Sequence, residues 1–159
     1  MKPLKVVIFT FVLTVILPIG STAAEEETLK FRLITRLVNG TFVDAPVEGH
    51  SVGAGQYAGV AVFEDGRLAD KQFVLNMDDR GAEGSYSGYS TYTFLNGDTL
   101  TLKFTGGWGP DRNGGDYEVV SGTGAYEGAT GTGRFDAVEE PWEKASLYDV
   151  TINVTRGGG

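Results

Sequence analysis

Residues 85–107 read SYSGYSTYTFLNGDTLTLKFTGG, and this stretch decides the fold. Tyr86, Ser90, Tyr92 and Phe94 fall on one side of an alternating segment, Asn96-Gly97 interrupts it, and Leu100, Leu102 and Phe104 repeat the alternation on the way back. A period of two marks a strand with one buried face, and Asn-Gly between two such strands is a strong hairpin signal.

The same reading extends in both directions. Asp65-Gly66 joins residues 56–64 to residues 68–77 and predicts a second hairpin. Upstream, Leu29, Phe31, Leu33 and Leu37 share one face of a first strand, with Lys30, Arg32 and Arg36 on the other. Residues 39–55, with Pro46 and several glycines, are expected to form a loop. Downstream, residues 116–121, 130–138 and 145–156 complete the set, the last with Tyr148, Val150, Ile152 and Val154 on one side. No helix-length apolar periodicity follows residue 24. About eight strands joined by short turns predict an all-β, eight-stranded antiparallel up-and-down barrel, because closure removes exposed sheet edges. A β-sandwich is the alternative.

The first residues follow a different pattern. Lys2 and Lys5 precede an apolar run over residues 6–19, and Gly20, Ser21, Thr22, Ala23 and Ala24 follow. That order is a secretory signal peptide, too short for a bilayer span of about 20 residues. Residues 1–24 are therefore expected to be removed, leaving residues 25–159 as one domain that is secreted or periplasmic, with no stable membrane anchor. Loss of Lys2 and Lys5 takes the formal charge from −8 to −10. An acidic chain without a basic patch is a poor partner for nucleic acid. With no cysteine in 159 residues, stability rests on packing and strand pairing.

The glycine-rich run SGTGAYEGATGTGRF, residues 121–135, raises the question of phosphate binding. It has no lysine after a Gly-x-x-x-x-Gly spacing, its dinucleotide spacing is one place out, and a strand rather than a helix follows. Its glycines are expected to turn a corner at the barrel rim. His50 is the only histidine and reads as a solvated loop residue, so a two-histidine metal site is excluded. Asp111, Asn113 and Asp116 resemble calcium ligands only loosely and read as turn residues, so no metal and no cofactor is expected. Asp78, Asp79, Arg80 and Glu83 cluster between two strands, either as a solvated loop or as a charged barrel mouth.

The candidate ligand-binding residues are Phe31, Tyr86, Ser90, Tyr92, Tyr117 and Tyr148, all assigned to inward faces. Tyrosine offers an apolar body and a hydroxyl tip that can orient a ligand's oxygen. Core packing accounts for the same placement equally well. No residue is assigned a catalytic role.

VVSGTGAYEGATGTGRF, residues 119–135, resembles the strand, glycine turn and strand of the allene oxide cyclase and dirigent superfamily, and residues 85–107 resemble its tyrosine-rich hairpin. The resemblance implies a calycin-like eight-stranded barrel with an apolar central cavity, often a homotrimer. It also implies a small apolar ligand whose cyclisation or isomerisation is guided by confinement, without a cofactor. Plant allene oxide cyclases use a glutamate on the first strand and a barrel cysteine. The first strand as read from the sequence, LKFRLITRLVN over residues 29–39, has only lysine and arginines as charged residues and no cysteine is present, so no catalytic residue carries over. The alternatives are a non-catalytic, lipocalin-like carrier and a structural envelope barrel with a filled interior.

Overall fold

Alternation along the chain resolves into eight strands in a computed structural model that describes residues 24–139 and 142–157. They are β1 (Glu25–Asp44), β2 (Ser51–Phe63), β3 (Leu68–Asp79), β4 (Gly84–Phe94), β5 (Thr99–Trp108), β6 (Gly114–Gly122), β7 (Thr130–Val138) and β8 (Ser146–Arg156). Each pairs antiparallel with its chain neighbours, and β1 also pairs with β8, from Glu25↔Arg156 to Thr35↔Ser146. The sheet is therefore a closed up-and-down barrel, and the sandwich is excluded. The expected signal peptide lies outside the described residues.

Both hairpin signals form turns, by a different geometry from a two-residue turn. Gly66 and Gly97 alone adopt positive φ, at 88° and 90°, while Asp65 and Asn96 do not. Phe63 and Phe94 each accept from the glycine N–H three residues on, at 3.0 and 2.9 Å, which is a type I turn closed by a glycine bulge. The side chains explain the choice. Asp65 Oδ1 accepts from the Arg67 N–H at 3.0 Å and Asn96 Oδ1 from the Asp98 N–H at 3.1 Å, and these bonds hold the Asx residue in the ordinary turn conformation.

Within residues 39–55 only residues 45–50, around Pro46, form a loop, and the rest is strand, which corrects the expectation from sequence. β1 runs on to Asp44 and β2 starts at Ser51, with a bulge between Leu37 and Asn39 and paired register from Asn39↔Gln56 to Asp44↔Ser51. The glycines conceal this ladder because it is held by backbone pairing rather than by an alternating apolar face. Phe42 pairs with Gly53, and its ring occupies the space over that glycine. Since β8 pairing ends at Thr35, this part of β1 projects past the barrel wall, so Leu37 is half exposed rather than buried with Leu29, Phe31 and Leu33.

One end of the barrel is packed shut. Phe31, Phe63, Phe94 and Tyr126 form a chain of rings with centroids 4.6, 5.4 and 5.0 Å apart. Tyr126 comes from the short 3-10 turn Gly124–Tyr126 inside the glycine-rich run, so that run turns a corner and inserts a plug. Arg67 Nη1 donates to Tyr126 Oη at 3.1 Å, and Glu27 pairs with both Arg67, at 2.7 Å, and Arg156. The two guanidinium groups lie over the plugging rings, Arg67 at 5.3 Å from Phe63 and Arg156 at 5.2 Å from Tyr126.

Candidate functional site

The opposite end holds a cavity of about 280 Å³. It lies among the carboxyl ends of β1, β3, β5 and β7 and the amino ends of β2, β4, β6 and β8, because an up-and-down barrel brings alternate strand ends together. Phe73, Leu75, Phe104 and Phe135 make its wall apolar, and Trp108, Asn113 and Ser146 lie near the strand ends that form its rim.

Three of the six candidate residues meet here. Tyr86, Tyr117 and Tyr148 line the cavity. Phe31, Ser90 and Tyr92 are inward-facing too, but they lie in the packed interior and not on the lining: Phe31 meets Tyr92 edge-on at 5.4 Å, and both are almost fully buried. Which residues line space and which fill it is decided by the size of their neighbours, and strand parity carries no information on that.

Lys71 is the residue that sequence reasoning missed. It follows Ala69 and precedes Phe73, Leu75 and Met77 on the inward face of β3, and it is only 2% exposed. Its register partners are Gly59 on β2 and Tyr92 on β4. Nζ donates to Tyr117 Oη at 2.7 Å, and Tyr92 Oη donates to the same oxygen at 3.3 Å. Four rings surround the nitrogen, Phe73 at 4.6 Å, Tyr92 and Tyr117 at 5.0 Å each and Phe104 at 5.8 Å. No carboxylate lies within 4.0 Å of it among the described residues.

Electrostatics follow from this burial. Loss of water disfavours the charged lysine and pushes its pKa down to about 7. The same desolvation raises the hydroxyls of Tyr86, Tyr92 and Tyr117 above the ordinary tyrosine value. Near neutral pH the site therefore offers an amine that exchanges its proton readily beside phenols that keep theirs. Tyr86 Oη and Ser90 Oγ are buried with no hydrogen-bond partner. An unpartnered buried hydroxyl costs about 1–3 kcal/mol, so the interior is less polar-satisfied than packing alone calls for.

The remaining sequence features fall outside this cavity. His50 is not a free loop side chain: its Nε2 lies 2.7 Å from Asp78 Oδ1, and Arg80 pairs with Asp78 at 3.4 Å. This cluster sits at the open end but does not line the cavity. Asp116 is on the outer face, paired with Arg112 at 3.2 Å.

Closed barrel, plugged base and polar-studded apolar cavity define the class: the chain has the fold of the dirigent-type barrels, as the resemblance in residues 85–107 and 119–135 implied. The pterocarpan synthase dirigent protein GePTS1 superposes with a TM-score of 0.63 over 91% of this chain and 99% of its own, at 16% identity. The pterocarpan synthase dirigent protein PsPTS1 superposes with a TM-score of 0.57 over 85% of this chain and 97% of its own, at 19% identity. A protein of unknown function from the DUF3224 family of Shewanella oneidensis MR-1 covers 81% of this chain at 21% identity, with a TM-score of 0.47. No protein-family model and no curated protein matches the sequence.

Proposed function

We propose that this protein is an exported barrel that binds one small, largely apolar molecule in the cavity at its open end and guides a stereoselective cyclisation or isomerisation of it. The observation that carries the reading is the Lys71–Tyr117 pair, a hydrogen-bonded amine and phenol in a cavity whose wall is otherwise mainly aromatic and aliphatic. Ligand sites combine this kind of apolar wall with a few placed polar groups, and about 280 Å³ falls just below their usual range of about 300–1,000 Å³, which suits a small ligand. Confinement would hold the ligand in one reactive geometry, with Tyr86, Tyr117 and Lys71 fixing its oxygen atoms. Two solved pterocarpan synthase dirigent proteins share the barrel, which supports a role in steering a reaction, while fold alone does not carry a substrate across.

A non-catalytic carrier is the second reading. One observation favours it: among the described residues no carboxylate lines the cavity, so acid–base work would fall to lysine and tyrosine alone. Assembly as a homotrimer and release from the cell membrane after signal cleavage belong to the same proposal.

Native mass spectrometry of the protein purified from the exported fraction tests the reading. A retained small molecule, lost on denaturation and displaced by aromatic compounds, is the expected result. Turnover of that molecule would then separate the enzyme from the carrier. A barrel that arrives empty, and whose melting temperature no compound in an aromatic and aliphatic panel raises, would overturn ligand binding and leave a filled structural barrel.

A further inference from the structure

Lys71 is an expensive residue to place where it is. A protonated lysine has three N–H donors, and only one of them, directed at Tyr117 Oη, has an acceptor among the described residues. Four rings surround the nitrogen, and no carboxylate lies within 4.0 Å of it among the described residues.

We propose that the ligand is an organic acid, held in the cavity as its carboxylate against the Lys71 ammonium, with a proton taken up by Lys71 as the acid binds. This rests on the ligand-binding reading above and names the chemical class of the ligand. Proton and charge balance without a further reactant. The carboxylate arrives from neutral water already ionised, the amine gains one proton from solvent, and the buried pair is neutral overall. An unpaired carboxylate would face a prohibitive desolvation cost there, and an alcohol or ester would leave the ammonium unpaired.

The groups that face Lys71 from each surrounding element make this a one-lysine titration. Tyr57 stands on β2, Tyr86 and Tyr92 on β4, Tyr117 on β6 and Tyr148 on β8. The neighbouring β1, β5 and β7 contribute Leu33, Thr35, Phe104 and Phe135, none of which titrates. Tyrosine hydroxyls ionise at or above about 10, so Lys71 alone changes charge between about pH 6 and 9. Its free-barrel value of about 7 sets the window. An acid that binds only the protonated lysine binds at full strength below about pH 7 and weakens by about tenfold for each unit above it.

The test uses 3-phenylpropanoic acid, its alcohol 3-phenylpropanol and the aldehyde 3-phenylpropanal, titrated calorimetrically into the wild-type barrel in two buffers of different ionisation enthalpy. The acid is expected to bind at least tenfold more tightly than the alcohol at pH 6.5, to take up about half a proton at pH 7 and nearly one at pH 8, and to lose that advantage by pH 9. Lys71→Met should abolish acid binding at every pH while keeping alcohol binding. Tyr117→Phe, which retains the amine, should keep the preference for the acid if Lys71→Met does not fold. Equal binding of acid and alcohol to the wild type, or acid binding without proton uptake, overturns the proposal and leaves the cavity reading standing. Binding of none of the three probes overturns the cavity reading as well. Reductive trapping of 3-phenylpropanal on Lys71, with no binding of the acid, replaces ion pairing by imine formation and also overturns it.

Discussion

Replacing Lys71 by methionine should make the barrel more stable at neutral pH and cancel a pH dependence that wild type shows. In the folded state the lysine has a pKa of about 7, and in the unfolded chain about 10.5. The unfolded chain therefore binds more protons between these values, so wild-type stability rises with pH across that window. The penalty is full below pH 7 and vanishes above 10.5. Linkage puts it at about 4 kcal/mol at pH 7 and about 2 kcal/mol at pH 9. Methionine removes this penalty, fills nearly the same volume, and leaves Tyr117 Oη without its closest partner at a cost of about 1–3 kcal/mol. The net expectation is a variant about 2 kcal/mol more stable than wild type at pH 7 and level with it near pH 9. Urea unfolding of both proteins, followed by the fluorescence of Trp108 and Trp142 at half-unit steps from pH 6.5 to 9, measures the difference directly. Comparing the two proteins removes every other titrating group common to both. A variant less stable than wild type by more than 1 kcal/mol at pH 7, with a difference that does not change with pH, would refute the claim that Lys71 is buried at a cost in an acid-free cavity.

Tyr126→Ala should open the base of the barrel and cost about 3–5 kcal/mol in urea unfolding, whereas Tyr126→Phe, which loses only the bond from Arg67, should cost about 1 kcal/mol. Gly97→Ala places a side chain at a φ of 90° with open space around it, so strain alone should lower stability by about 1 kcal/mol, visible as a shift in melting temperature with unchanged circular dichroism. Gly88→Ala is expected to be far worse, because its Cβ would meet the Val74 carbonyl oxygen and the Phe104 ring, and failure to recover folded protein at 25 °C is the expected outcome. The intact mass of the exported protein should correspond to a chain starting at Ala24 or Glu25, and a mass that includes Lys2 and Lys5 would reject signal cleavage.

Strand parity was legible throughout the region where side chains alternate. From Tyr86 to Phe104 the pattern of inward tyrosines, leucines and phenylalanines matches burial almost residue by residue, and Asn96-Gly97 fell where the chain turns. Alternation failed at residues 39–55 because a ladder of glycines and small residues is held by backbone bonds, and backbone bonds leave no mark on side-chain character. Lys71 escaped for a related reason. Parity places it inward with Ala69 and Phe73, but a lysine in a strand is ordinarily read as outer-face solvation, and only its burial in the closed barrel against Tyr117 shows otherwise.

By itself, then, the sequence determined the class of fold, because period-two hydrophobicity and glycine turns are local and additive along the chain. It also determined that the six named residues, Phe31 among them, point inward. What it left to the tertiary structure is everything that depends on two distant strands meeting: that β1 closes on β8, that Tyr126 from the glycine-rich run plugs one end, and that Tyr117 of β6 meets Lys71 of β3 across the interior. A cavity is the space that inward side chains fail to fill. Its position is set by the sum of volumes around the whole barrel, and no single strand encodes that sum.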